Sequence, residues 1–227
     1  MNEALPNGGS AKRAGPGGGG RKAAATRLRL VDAASRVLAQ RGYSGTRLAD
    51  VAEAAGIQAP AIYYHFSNKE ELAIAVIREG LVRSRSYLLE ALAQHGGDDP
   101  VERLGVAIEA HLRIATEERD AAPASLRRSG EVPESVRALC RPEERAYARE
   151  WKRLLADAHE AGMIREGLDL VTAQILLLGA LNSFAETWKP GRNKIEDAIR
   201  SARLLLLNGL SDQVGARPAA ALEAGAG

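Results

Sequence analysis

Apolar residues return along most of this chain at the spacing of an amphipathic helix. Leu30, Ala33, Ala34, Val37 and Leu38 form one stripe at i, i+3, i+4, i+7 and i+8, and Gly42 closes it. Leu48, Val51, Ala52 and Ala55 repeat the template over two turns, with Thr46 the expected N-cap and Gly56 the left-handed stop. A third short helical segment follows from Gln58 to Phe66, with Pro60 in its first turn, where a missing N–H costs nothing. Ser67 and Glu70 then match a capping box that opens a longer helix to about Gln94. Further helices are predicted over about Pro100–Arg119, Ala122–Ser129, Pro133–Ala161, Asp169–Trp188 and Lys194–Leu210, separated by glycine and proline breakers. Strand alternation and fixed-period repeats are both absent, so the predicted class is all-α.

The two ends read differently. Residues 1–23 are rich in Gly, Ala, Asn and Pro and predict a flexible basic arm carrying Lys12, Arg13, Arg21 and Lys22, and residues 213–227 predict a flexible tail. In composition, 45% hydrophobic and 26% charged residues describe a globular chain, while an aromatic share of 4% argues against an aromatic-rich β-sandwich. The single cysteine, Cys140, excludes an internal disulfide and a multi-cysteine zinc site, and fits a reducing, cytoplasmic setting. The longest uncharged run, Leu170–Ala185, falls short of the ~18 residues a membrane span needs, and no membrane partner is expected. A net charge of +2 hides an asymmetry: through Glu70 ten Lys/Arg face five acids, giving +5, which leaves −3 for the remainder. A basic front on a mildly acidic body suits one end meeting a polyanion.

Two short helices joined by a tight turn at Gly56 have the form of a helix-turn-helix, whose second helix enters a DNA major groove. On a wheel of that second helix Ile62 and Phe66 point inward, Pro60, Ala61 and Tyr64 point away, and Tyr63 and His65 flank them. Core packing is the alternative for these aromatics, but helical geometry does not bury Tyr63, Tyr64 and Phe66 on one side together. Domain boundaries follow: 24–70 for the helix-turn-helix and 71–212 for a larger helical ligand-binding and dimerisation domain.

From Gly45 to Leu72 the string GTRLADVAEAAGIQAPAIYYHFSNKEEL resembles the DNA-binding signature of TetR/AcrR-type transcriptional regulators, and the resemblance extends over about Thr26 to Leu72. It implies that Thr46 and Tyr63 bind phosphate, that His65 lies beside the DNA backbone, and that Lys69 reaches a phosphate from the next helix. Arg47, Gln58, Ala59, Ala61 and Tyr64 would face base edges. Gln58 stands where such proteins often carry a small N-cap residue, and Ala59 and Ala61 offer no hydrogen bonds. Base reading would then lean on Arg47, Gln58, methyl contacts and DNA shape. The partners implied are double-stranded DNA, a small-molecule effector and a second copy of the chain.

Runs of consecutive apolar residues at Ile175–Leu178 and Leu204–Leu207 cover more than one helix face, which points to a homodimer interface using Leu177, Leu181, Phe184, Leu205 and Leu206. Burial of both faces within one monomer is the alternative. His111, Tyr147, Trp151, Phe184 and Trp188 are the residues expected at an effector cavity, with ordinary core packing the competing account of each. Nine arginines lie between Arg113 and Arg153; pairing with nearby glutamates accounts for most, and clamping of an anionic ligand is the sharper use. Trp188-Lys189-Pro190-Gly191 resembles a compressed form of a close found in family members that answer acyl-CoA or related thioesters. No nucleophile elbow, P-loop or metal-binding helix motif is present, so no catalytic residue, cofactor or metal is assigned. A non-enzymatic regulator is expected, a repressor that binds a palindromic operator as a dimer and is released by a small, largely apolar effector with an anionic, acyl-CoA-like end. A helical carrier or scaffold with a non-specific basic arm is the alternative.

Overall fold

The computed structural model describes residues 18–116, 126, 130–189, 191 and 194–210. Among the described residues seven α-helices run in chain order: α1 Gly18–Arg41, α2 Leu48–Ala54, α3 Lys69–His95, α4 Pro100–Thr116, α5 Glu134–Glu160, α6 Leu170–Thr187 and α7 Ile195–Leu210. A 3-10 segment, Ala59–Tyr64, lies between α2 and α3. The all-α expectation holds. The helix predicted over Ala122–Ser129, the arm residues Lys12 and Arg13, and the tail fall outside the described residues, apart from Leu126.

Several boundaries differ from the sequence reading, each for a local reason. α1 begins at Gly18, inside the expected arm, because Arg21-Lys22-Ala23-Ala24-Ala25 is a run of strong helix formers. Its first ten described side chains are exposed or half-buried and packing begins at Leu30. The N-cap of α2 is Arg47, not Thr46. The cap of α3 is shifted by one residue: Asn68 Oδ1 accepts from Glu71 N–H at 2.8 Å, and Ser67 N–H donates to the Glu71 carboxylate at 2.9 Å. The reciprocal logic of the capping box survives on the neighbouring pair.

Two hydrophobic cores stack along the molecule. The first joins α1, α2, the 3-10 segment and the front of α3 through Leu30, Val51, Ile62, Phe66, Leu72 and Ile77, and it also takes in Leu126, Val132, Val136 and Cys140. It therefore does not stop at residue 70. The second holds Leu88 and Leu92 of α3, Leu104 and Ile108 of α4, Trp151 and Leu155 of α5, and Leu177, Leu181 and Ile199. Among the described residues only α3 and α5 place side chains in both cores.

α6, with a mean hydropathy of 1.3, is the one helix among the described residues long and apolar enough to cross a membrane by length and composition. Here it is built into the helical domain: Ala173, Leu177 and Leu181 face the core, and Gln174 Nε2 donates to Ala148 O of α5 at 2.8 Å.

Candidate functional site

The helix-turn-helix is set by short-range chemistry. After α2, Gly56 adopts φ +67°, a conformation that L side chains rarely take, and Ile57 N–H donates to Ala52 O at 2.9 Å. Pro60 sits in the first turn of the 3-10 segment, where Ala61 N–H reaches back to Gln58 O at 2.9 Å. The segment is anchored from below by Ile62 and Phe66, both 0% exposed. The phenol rings stand on the other side: Tyr63 is 61% exposed and Tyr64 90%. Gln58 and Ala59 are exposed, while Ala61 and His65 are half-buried. α1 braces this unit: the Arg27 guanidinium lies 4.6 Å over the Phe66 ring, and Arg29 donates to Ala55 O at 2.8 Å beside the turn.

Arg47 is exposed, and its backbone N–H donates to Asp50 Oδ2 at 3.0 Å while the Asp50 carboxylate also pairs with Arg41 at 3.1 Å. Two residues expected at phosphates occupy other roles in the free protein. Thr46 is 2% exposed and its hydroxyl donates to Gly42 O at 2.7 Å, so it shapes the α1–α2 turn from inside. Lys69 donates to Tyr43 O at 2.9 Å and lies 4.4 Å above the Tyr43 ring. Burial, with the Glu70 carboxylate nearby, pushes the Tyr43 hydroxyl above its ordinary pKa, so the phenol stays neutral under the lysine.

Four of the five expected effector residues divide between two places, and the fifth, Trp188, is the C-cap of α6 and lines neither. His111, Tyr147 and Trp151 come together in the second core: His111 Nδ1 and the Tyr147 hydroxyl are 2.8 Å apart, and the Trp151 ring meets each edge-on at 5.9 and 6.4 Å. Trp151 Nε1 is buried with no hydrogen-bond partner among the described residues, and so is Trp188 Nε1. Phe184 instead lines an apolar cleft of about 320 Å³ between α4, α6 and α7, together with Leu112, Leu181, Leu205 and Leu206. The cleft's charged lining group is Asp197, not an arginine. The described arginines of the middle segment largely follow the paired account: Arg113 binds Glu109 at 2.8 Å, Arg137 and Arg141 share Glu134, and Arg153 faces Asp157 at 3.9 Å. Arg119, Arg127 and Arg128 lie outside the described residues.

The expected dimer residues need correction. Leu177 and Leu181 are each 2% exposed and point into the second core, so they are not surface anchors. Phe184 and Leu206 are half-buried along the cleft, and Leu205 alone of the five is open, at 75%. The uncovered apolar face belongs to Val171, Ile175, Leu176, Leu204 and Leu205. Gln174 could have signalled the phase of α6, since a polar residue that bonds to Ala148 O fixes which side faces α5.

Comparison with known proteins agrees with this geometry. Residues 30–76 match the family described as bacterial regulatory proteins, tetR family, and residues 97–210 match the tetracyclin repressor-like C-terminal domain. The fatty acid metabolism regulator protein of Bacillus subtilis is 24% identical over 184 residues, covering 79% of this chain and 92% of that protein. The fold is shared with the transcriptional regulator FadR from Bacillus subtilis in complex with stearoyl-CoA, at TM-score 0.69 and 24% identity over 80% of this chain and 98% of that one. AibR in complex with isovaleryl coenzyme A and operator DNA is also similar, at TM-score 0.70 and 22% identity over 80% and 98% of the two chains. With a helix-turn-helix under one profile and a helical ligand-binding half under the other, the chain belongs to the TetR family of ligand-responsive transcriptional regulators.

Proposed function

We propose that the chain is a cytoplasmic repressor that grips a palindromic operator as a homodimer and lets go when a largely apolar effector with an anionic end binds. The observation that carries the DNA-reading part is the pair Tyr63 and Tyr64, standing 61% and 90% exposed on a segment whose opposite side is fully buried. Large rings held out by a rigid core suit thymine methyls and sugar-phosphate edges, and Arg47 and Gln58 beside them supply hydrogen bonds to bases. Tyr63, His65 and Lys69 serve the backbone, Lys69 after exchanging Tyr43 O for a phosphate.

One helix-turn-helix covers only a few base pairs, so two copies on half-sites about 34–36 Å apart, or a multiple, are required for specificity. The apolar face of α6 and α7 supplies the contact between copies. The apolar cleft at Phe184 suits an acyl chain, and two proteins of the same fold are described with acyl-coenzyme A ligands. By linkage, an effector that prefers a conformation with misplaced reading segments lowers DNA affinity by the same factor by which DNA lowers effector affinity.

Selection of duplexes from a random pool by the purified chain tests this, followed by titration of the enriched duplex with and without acyl-CoAs of short branched and long straight chains. Enrichment of a palindrome and its release by one of these thioesters support the reading. Equal affinity for all duplexes overturns it in favour of a helical scaffold with a basic front. Selective DNA binding that none of the thioesters alters removes the effector class and leaves the regulator.

A further inference from the structure

The α1–α2 turn leads directly into Arg47 and the helix-turn-helix. Most of its polar groups are satisfied from within the DNA-reading unit: Gly42 N–H donates to Leu38 O at 3.0 Å, the Thr46 hydroxyl to Gly42 O at 2.7 Å, and Lys69 to Tyr43 O at 2.9 Å. One is not. The backbone N–H of Ser44 donates to Glu131 Oε2 at 3.1 Å, across 87 residues of sequence. Glu131 belongs to the other half of the chain, in the turn just before α5.

The surroundings are shaped for this contact. Gly42 takes φ +68°, and a Cβ there would lie 3.3 Å from Glu131 Oε2, so the glycine both bends the chain and leaves the carboxylate its place. Val132 follows immediately and is 1% exposed; with Val136 at 1% and Cys140 at 0%, it wedges the start of α5 into the first core. Farther along, the same helix carries Tyr147 and Trp151 in the second core. Pro142 lies between these two stretches, where it withholds an N–H from the Ala138 carbonyl and favours a bend. A groove of about 310 Å³ lies beside it, lined by Leu81, Val82, Arg85 and Pro142.

We infer that Glu131 is a positioning residue for DNA recognition: a carboxylate of the regulatory half that holds the α1–α2 turn, and with it Arg47, in the reading conformation. The inference rests on the DNA-binding reading above. Because Glu131 rides at the head of α5, a shift of that helix in the second core withdraws or restores the contact.

Charge and positioning predict opposite results, which makes the test sharp. A carboxylate near phosphate repels DNA, so its removal by electrostatics alone raises affinity for every duplex equally and leaves selectivity unchanged. Loss of a hydrogen bond to a charged group that fixes geometry lowers selectivity by about tenfold. The measurement is the ratio of affinities of the full chain for a selected duplex and a scrambled one, by fluorescence anisotropy, in wild type, Glu131→Ala and Glu131→Gln. Glu131→Ala is expected to lose about tenfold in that ratio, and Glu131→Gln, which keeps a carbonyl acceptor, less than about threefold. Hydrogen exchange at Ser44 N–H reports the contact directly and is expected to quicken in Glu131→Ala while circular dichroism stays at the wild-type signal. A wild-type ratio in Glu131→Ala, or equal losses in both variants, overturns the inference. Should Glu131→Ala fail to fold, a loss of about tenfold or more in the Glu131→Gln ratio also overturns it. A wild-type protein without selectivity defeats the DNA reading itself, a different outcome from selective wild type with an indifferent Glu131.

Discussion

The uncovered face of α6 and α7 sets a quantitative expectation. Val171, Ile175, Leu176, Leu204 and Leu205 are 60%, 66%, 67%, 57% and 75% exposed. Full burial of such a side chain contributes about 1.5–3 kcal/mol, so covering the roughly two-thirds still open contributes about 1–2 kcal/mol each. Over five residues on each of two copies the gross gain is about 10–20 kcal/mol, set against an association cost of about 4–15 kcal/mol. The midpoints of the two ranges leave about 5 kcal/mol, so these ten side chains by themselves are expected to support a dimer with a dissociation constant on the order of 0.1 mM. Combining Leu176→Asp with Leu205→Asp removes four of the ten side chains across the pair and places carboxylates in a desolvated seam. That forfeits at least about 4 kcal/mol and raises the dissociation constant about a thousandfold or more. Both positions are open in the single copy, so folding stability moves by only about 0.5 kcal/mol. Sedimentation velocity over a concentration series checks the first point and thermal melting the second. A double variant that sediments as the wild type, or a wild type that stays monomeric at roughly 0.5 mM, refutes the assignment of this face.

Three further outcomes follow from local geometry. Tyr64→Ala, at a side chain 90% exposed, is expected to leave the melting temperature within a few degrees and to weaken the selected duplex by about 1–3 kcal/mol, checked by anisotropy against a scrambled duplex. Gly45→Ala would set a Cβ 2.4 Å from the Arg41 carbonyl oxygen, a backbone atom without freedom to step aside, and calorimetry is expected to show a loss of about 1–3 kcal/mol. Asp169 caps α6 by accepting from Thr172 N–H at 2.8 Å, and hydrogen bonding from the Thr172 side chain first, then from that N–H, holds its carboxyl below the ordinary 3.8. A depressed folded value means that the cap's contribution is complete above 3.8 and fades as pH falls through the folded pKa; Asp169→Asn is expected to flatten that part of the acid limb in melting curves recorded against pH.

The exposed side of the 3-10 segment was legible in the sequence because it depends on period alone: Ile62 and Phe66 lie four apart, and the tyrosines between and beside them fall on another side. What the sequence hid was competition between near-equivalent choices. Thr46 is the better N-cap by residue type, yet its hydroxyl finds Gly42 O in the preceding turn and the cap passes to Arg47. The glycines before Arg21 suggested a loose arm, and the helix formers just after them start α1 earlier. In Ile175–Leu178 every face is apolar, so periodicity has no phase to report; in the structure Leu177 faces inward while Gln174 bonds to α5. Long-range pairs leave no local trace at all: Arg85 meets Glu150 at 2.7 Å across 65 residues, and Glu131 meets Ser44 across 87.

How a ligand in the cleft could reach the DNA-reading unit is constrained by which helices line it. Leu112 comes from α4, Phe184 from α6 and Leu205 from α7, and none of these helices enters the first core. Among the described residues the helices with side chains in both cores are α3 and α5, so the signal passes to one of these. Beside Leu112 on α4, His111 shares a hydrogen bond of 2.8 Å with Tyr147 of α5, a direct polar link from the wall of the cleft to a bridging helix. Tyr147→Phe deletes that link and keeps the ring. If α5 carries the coupling, the variant retains its affinity for the selected duplex and for the acyl-CoA taken separately, while the factor by which each weakens the other falls toward one. Four titrations closing a thermodynamic cycle measure that factor. A wild-type factor in Tyr147→Phe would assign transmission to α3, whose long span from Leu72 to Leu92 also ties the two cores together.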